Sequence, residues 1–421
     1  MTAPSSQIED LVEGDRVELF VGTPAHGGHC VARIGDEHGR VVFVRHALPE
    51  ERVTAEITEL HKGYLRADAI EIHQASPDRV QPPCPWAHPG GCGGCDLQHV
   101  APAAQLAWKT SIVRELLARV GGLAPDKIDE LRVRVEALPG GPLEWRSRVR
   151  YAVDAIGRPG LLQHRSHQVV AIDRCRIARP ALQELDVLAH SWPTANAIEV
   201  IASTGGDVSV LTREVADRQD PTDEKADTAV LLEGPAEVRE LAVGREWQVP
   251  AEGFWQVHPA AADTLVAAVV DLLQPAPGET SWDLYGGAGL FAAALAERTG
   301  AHTTVVESSA AGVAAARRNL ADLPGVEVVS AKVETALARR RVAGPVDLVV
   351  LDPPRTGAGA RVVRAITAAG ARAVAYVACD PAALARDVKT FAEEGWELAE
   401  LRGYDCFPMT QHVECVALFT P

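Results

Sequence analysis

What most constrains the fold of this 421-residue chain is a change of rhythm after Val257. Helical spacing over 259–273 gives way to a strand-like run at 280–285. The alternation then continues with a helix at 290–298, a strand at 303–307, a helix at 310–320 and a strand at 326–329. Two further strands, 346–352 and 373–379, flank a helix at 360–369, and another helix over 382–391 follows Pro381. Strands alternating with helices over about 160 residues predict an α/β fold built on a doubly wound parallel sheet.

The first seventy residues read differently. Runs at 16–21, 41–44 and 52–57 are β-branched or alternating, with turns at Gly27-Gly28 and 35–39. About five such strands predict a small OB-like β-barrel. Residues 73–85, with Pro77, Pro82 and Pro83, read as a linker, and 105–120 carries Leu106, Ile112, Val113, Leu116, Leu117 and Val120 at helical spacing. From 130 to 250 the signals are strand-like again, with a polar loop at 217–227. Three domains are expected: a barrel over 1–75, a β-rich central domain over 76–250 and the α/β domain over 251–421.

The N-terminus shows neither a basic n-region nor an apolar h-region, and no run of about 18 apolar residues occurs. A cytoplasmic protein with no membrane contact is expected, with its thiols reduced. The net charge of −16 at first argues against a nucleic-acid partner. Distribution matters more than the sum, because 141–180 holds eight arginines against three acids, a local net of +5, and 207–252 has a net of −7. A basic patch bounded by acid suits limited phosphate contact, the alternative being an ordinary solvated surface.

The eight cysteines divide by setting. Cys84, Cys92 and Cys95 share a Gly/Pro-rich loop and Cys175 follows in the basic stretch, a thiolate set that suits Zn²⁺ or an iron–sulfur cluster without choosing between them. Cys30, Cys406 and Cys415 lack partners at ligand spacing and read as core thiols. Cys379 stands apart at the end of an apolar run, just before a helix. There the helix dipole is expected to lower its pKa and make it a nucleophile.

The α/β domain opens with Asp283-Leu-Tyr-Gly286-Gly287-Ala-Gly289, glycines placed directly after a first strand. They let a ligand approach the backbone, and Glu307, twenty residues beyond Gly287, can bind both hydroxyls of a ribose. With no final glycine of a dinucleotide fingerprint and no cation waiting for a pyrophosphate, the pattern favours S-adenosylmethionine over NAD. Asp352, in Asp352-Pro-Pro-Arg, is expected at a strand's carboxyl end as a polar contact to a base. A methyl donor beside a thiol has a chemical logic. Uracil C5 cannot attack a sulfonium methyl until a thiolate has added at C6, and a base must afterwards remove the C5 proton. Glu414 is the candidate base.

Taken together, these residues resemble the RNA uracil-5-methyltransferases that carry an N-terminal TRAM domain, enzymes that form 5-methyluridine in 23S ribosomal RNA or tRNA. The resemblance rests on Cys92-Gly-Gly-Cys95-Asp-Leu-Gln-His, Phe254-Trp-Gln256-Val, Asp352-Pro-Pro-Arg, Tyr376-Val-Ala-Cys379-Asp-Pro and His412-Val-Glu414, and spans nearly the whole chain. It implies a TRAM barrel, a Rossmann-like catalytic domain, and a [4Fe–4S] cluster on Cys84, Cys92, Cys95 and Cys175. It further implies Cys379 as nucleophile, Glu414 as base, and cofactor contacts at Gln256, Tyr285, Glu307 and Asp352. It also implies that the helix at 105–120 packs against the catalytic domain. Leu290, Lys332, Gly286 and a longer first cysteine gap depart from the family's usual pattern.

Ribosomal RNA is the favoured partner, tRNA the alternative, and a monomer is expected. The rival readings are an amino-group methyltransferase, which needs no thiol, and a non-catalytic RNA-binding protein.

Overall fold

The computed structural model describes residues 11–35, 38–214 and 229–421, so the expected polar loop at 217–227 lies outside them. Strands β1 (Arg16–Ala25), β2 (His29–Arg33), β3 (Val41–Arg45), β4 (Arg52–Leu60) and β5 (Tyr64–Gln74) close into a barrel in the order β1-β2-β3-β5-β4. Val53, Ala55 and Ile57 alternate inward along β4 and pack on Val21, Val42, Val44 and Leu65. Closure leaves no free sheet edge on this unit.

Next come α1 (Pro102–Arg119), α2 (Pro125–Glu130) and β6 (Val135–Ala137). A six-stranded antiparallel sheet follows, built from β7 (Arg148–Val153), β8 (Pro159–Leu162), β9 (Val169–Val170), β10 (Ala195–Ala202), β11 (Val208–Glu214) and β12 (Ala229–Glu233), with the short α3 (Pro180–Gln183) beside it. The hairpin β13 (Glu237–Ala242) and β14 (Arg245–Pro250) precedes the C-terminal unit.

That unit runs α4 (Ala261–Leu273), β15 (Ser281–Leu284), α5 (Leu290–Thr299), β16 (Thr303–Glu307), α6 (Ala310–Asn319), β17 (Val326–Ser330), α7 (Val333–Ala338), β18 (Leu348–Leu351), α8 (Ala360–Thr367), β19 (Ala373–Ala378), α9 (Pro381–Glu393), β20 (Glu397–Asp405) and β21 (Glu414–Thr420). The strands form one eight-stranded sheet, ordered β17-β16-β15-β18-β19-β21-β20-β6. Strand order reverses at β15, which places a binding crevice between the carboxyl ends of β15 and β18.

The expected all-parallel sheet needs correction at one side. β21 runs antiparallel to both β19 and β20. A parallel return requires a crossover of a dozen or more residues, and only 406–413 separate β20 from β21. β6 then joins the sheet parallel to β20 from far earlier in the chain.

Packing also crosses the expected boundary at 250. Val238, Trp247 and Val249 of the hairpin belong to the core on one face of the large sheet, and Val113 and Leu117 of α1 to the core on the other. Trp108 and Ile112 turn instead to the barrel, so α1 serves two cores. Between these apolar stripes Lys109 is fully buried, with Nζ 2.5 Å from Asp405 Oδ1.

Removing one partner of a buried ion pair leaves the other charge uncompensated, so Lys109→Met is expected to cost about 3–5 kcal/mol in denaturant unfolding. Adding Asp405→Leu should return most of that loss, and a double variant no more stable than the single one would contradict the pairing.

Candidate active site

The glycine turn after β15 is built from glycines with separate tasks. A Cβ on Gly286 would come within 2.5 Å of Val305 Cγ1, and one on Gly289 within 2.6 Å of Leu320 Cδ1. Those two permit tight packing. Gly287, at φ +53°, faces open space, as a ligand cradle requires. Its N–H donates to Glu307 Oε2 at 2.9 Å, while Glu307 Oε1 accepts from Ser308 N and Ser309 N. The turn and the end of β16 are thus locked together. Tyr285, also at positive φ, has its hydroxyl buried without a hydrogen-bond partner. Gln256 is buried in the segment between β14 and α4.

Pairing of β19 with β21 reaches Ala378 opposite Cys415, so Cys379 and Glu414 are the next residues facing each other. Both continue the sheet face that carries Ala375, Val377 and Val416. Asp352 continues that face beyond Val350, and Asp283 lies on it within β15. Four neighbouring strands therefore deliver three carboxyls and one thiol to one crevice.

Their proximity appears in their acidities. Burial, together with the Asp352 charge, holds the Glu414 carboxyl well above the usual carboxylate range. Burial likewise pushes Asp352 up to about 7. Asp283, fully buried, rises to about 8 through burial and then through the charges of Asp352 and Glu307, although Ala292 N–H donates to its Oδ2 at 2.8 Å. Asp283 Oδ1 and Glu414 Oε1 have no hydrogen-bond partner.

The lowered pKa expected for Cys379 is overturned. Burial first, then the charges of Glu414 and Asp352, push its thiol up to about 12, and Arg355 only partly offsets them. The helix end that was to stabilise a thiolate is already capped, since Asp380 Oδ1 accepts from Ala383 N at 2.8 Å. A crevice with this excess of carboxyls is complementary to a cation, and S-adenosylmethionine carries a sulfonium.

All four expected ligand cysteines, Cys84, Cys92, Cys95 and Cys175, line one small cavity with Leu161, Ile172 and Ile177, and none forms a disulfide. Burial raises the Cys84 thiol, and raises Cys92 to about 11. The donor set has the chemistry for an iron–sulfur cluster. Among the described residues, however, no group of three or more His, Cys, Asp or Glu side chains could hold a metal ion, so the expected metal centre is not shown. The other three cysteines are buried, as expected.

The basic patch is reduced by its own packing. Arg148 donates to Ala251 O and Gly253 O and pairs with Glu240, and Arg179 donates to Ala202 O and Ser203 O. Arg158, Arg165, Arg174 and Arg176 remain exposed. No helix among the described residues is long and apolar enough to cross a membrane.

Residues 11–70 match the TRAM domain family model, and 239–420 match that of tRNA (Uracil-5-)-methyltransferase. An uncharacterized RNA methyltransferase of Streptomyces avermitilis is 46% identical, covering 97% of this chain and 99% of its own. A 23S rRNA (uracil(1939)-C(5))-methyltransferase of Acidithiobacillus ferrooxidans is 32% identical over 96% of this chain and 97% of its own. The chain belongs to the RNA uracil-5-methyltransferase family. A crystal structure of Pyrococcus abyssi tRNA (uracil-54, C5)-methyltransferase in complex with S-adenosyl-L-homocysteine superposes with a TM-score of 0.70 at 22% identity. It covers 96% of this chain and 100% of that one, and so shares the fold of this family member.

Two residues of this RNA uracil-5-methyltransferase family chain lie within the quoted motifs without a role assigned from them. Asp283 reads as an ordinary strand residue, and only its burial and orphaned oxygen mark it. Phe254 is 73% exposed, a large aromatic offered to solvent beside the buried Gln256.

Because folding raises the Asp283 pKa to about 8, the folded state holds that proton more tightly than the unfolded one. Its contribution to stability is complete at low pH and is lost as pH rises from about 4 to about 8. The melting temperature of Asp283→Asn minus that of the wild type, both ligand-free, should therefore increase across this window. A difference independent of pH would contradict the assignment.

Proposed function

We propose that this protein forms 5-methyluridine in RNA, with Cys379 as nucleophile and Glu414 as base. The observation that carries this reading is the register placing Cys379 opposite Glu414, with Asp352 entering from the neighbouring strand. S-adenosylmethionine, when bound near Gly287, Tyr285, Glu307 and Gln256, supplies the methyl group. Cys379 Sγ, having released its proton to solvent, adds as the thiolate to uracil C6, which moves electron density to C5 and makes that carbon nucleophilic. Asp352 holds the base edge by hydrogen bonding. Once C5 is methylated, Glu414 takes the C5 proton. The C–H electrons form the C5–C6 double bond, and the C6–S bond breaks to return the thiolate. A carboxyl held well above its usual range is a stronger base than a solvated one, as this last step requires. The target uridine must leave its stack to reach such a crevice, and the TRAM barrel with the exposed arginines would hold the flanking RNA.

We favour 23S ribosomal RNA as substrate, supported by the Acidithiobacillus relative at 32% identity, with tRNA as the alternative. The four converging thiols are the ligands we assign to a [4Fe–4S] cluster, which should appear as visible absorption with about four iron atoms per anaerobically purified chain. Purified protein that lacks iron would refute that assignment.

Cys379→Ala should abolish methyl transfer, whereas an amino-group methyltransferase would keep full activity. Glu414→Gln should form a methylated adduct with RNA that survives denaturing gels but does not resolve. Mapping 5-methyluridine in cells with and without the protein decides between ribosomal RNA and tRNA.

A further inference from the structure

No hydrogen bond anchors Oε1 of Glu414, the base proposed above. Its position depends on the main chain entering β21, and the loop 406–413 is held at alternate residues by elements outside the catalytic sheet. At the loop's entrance Lys109 Nζ binds Asp405 Oδ1 at 2.5 Å and Phe407 O at 3.1 Å. Gln105, 1% exposed, accepts from Met409 N at 3.0 Å through Oε1 and donates through Nε2 to Leu97 O and Val100 O. Leu97 N donates to Met409 O at 2.9 Å, and Asp96 Oδ2 accepts from Gln411 N at 3.2 Å. Met409 sits at φ +67°, a left-handed conformation unfavourable for a non-glycine residue, and these bonds hold it there.

Asp96 and Leu97 directly follow Cys95. The same stretch of chain thus carries a cage cysteine and, within two residues, grips the segment that delivers the base. We infer that Gln105 and Lys109, with the cysteine loop through Asp96 and Leu97, are positioning residues for proton removal by Glu414. This rests on the catalytic reading above and gives the cysteine loop a part in turnover that its motif does not reveal. Thiol addition and methyl transfer precede the action of Glu414, so loosening this grip slows only the final step, in which the C5 proton passes to the carboxylate and the C6–S bond breaks.

The test uses the full-length protein and 23S rRNA transcribed with either UTP or 5-fluoro-UTP. Fluorine at C5 leaves no proton to remove, so capture of fluorinated RNA reports thiol addition and methyl transfer alone. Gln105→Leu should lower turnover on normal RNA about 10- to 100-fold, the usual consequence of a misplaced catalytic group. It should leave the capture rate on fluorinated RNA unchanged and accumulate a labelled-methyl adduct during turnover. Lys109→Met/Asp405→Leu should behave alike, guarding against a folding defect peculiar to one variant. Unchanged turnover, or turnover and capture falling together, would overturn the inference. Glu414→Gln serves as the reference, and if it accumulates no methylated adduct, the assignment of the base itself fails whatever Gln105 does.

Discussion

An ammonium group with no access to water, closed against a carboxylate between an N-terminal helix and the last hairpin, leaves little freedom for either element. Burying such charges carries a large desolvation penalty, so both must be fully satisfied. Lys109 meets this by reaching Asp405 and Phe407 O together, and Gln105 one turn away completes the joint with Met409. Because α1 also places Trp108 and Ile112 in the barrel core and Val113 and Leu117 in the catalytic core, the barrel, the cysteine loop and the catalytic sheet share one register. A barrel that swung freely would carry that helix with it.

The crevice obeys a different constraint. Parallel β15, β18 and β19 and antiparallel β21 all point side chains to the same face at one end of the sheet, where Asp283, Asp352, Cys379 and Glu414 gather. Burial raises every one of these groups, and neighbouring charges add to it at Asp283, Cys379 and Glu414, so the site holds protons that solvated carboxyls would release. A bound cation would reverse much of that shift, linking cofactor occupancy to the ionisation state of thiol and base.

Much of this was legible in the sequence because it is local. The 2.0 and 3.6 periodicities placed β15 to β19 and the helices α4, α5, α6, α8 and α9 within a few residues, whereas the short α7 was not read, and the hydrogen bond from Gly287 N to Glu307 emerged only in the structure. Chemical need paired Cys379 with Glu414 in the sequence, and the register of β19 and β21 brings the two residues to one sheet face. What was not readable depends on tertiary burial. The acidity of Cys379 turns first on its burial and then on Glu414 and Asp352, which arrive from elsewhere in the chain. The arginine patch looked uniform until packing drew Arg148 and Arg179 inward onto backbone carbonyls. The metal motif is intermediate: its four cysteines line one cavity, while among the described residues no group of three or more His, Cys, Asp or Glu side chains could hold a metal ion.

Strand β6 has only three residues, yet it lies along the outer side of β20 and turns Val135 into the catalytic core. Without it, the end of β20 at Gly403, Tyr404 and Asp405 would also present unpaired backbone groups, the template on which sheets stack between molecules. The catalytic half is therefore not a portable module. Engineering that separated it from its upstream partner would lengthen the exposed border of the sheet.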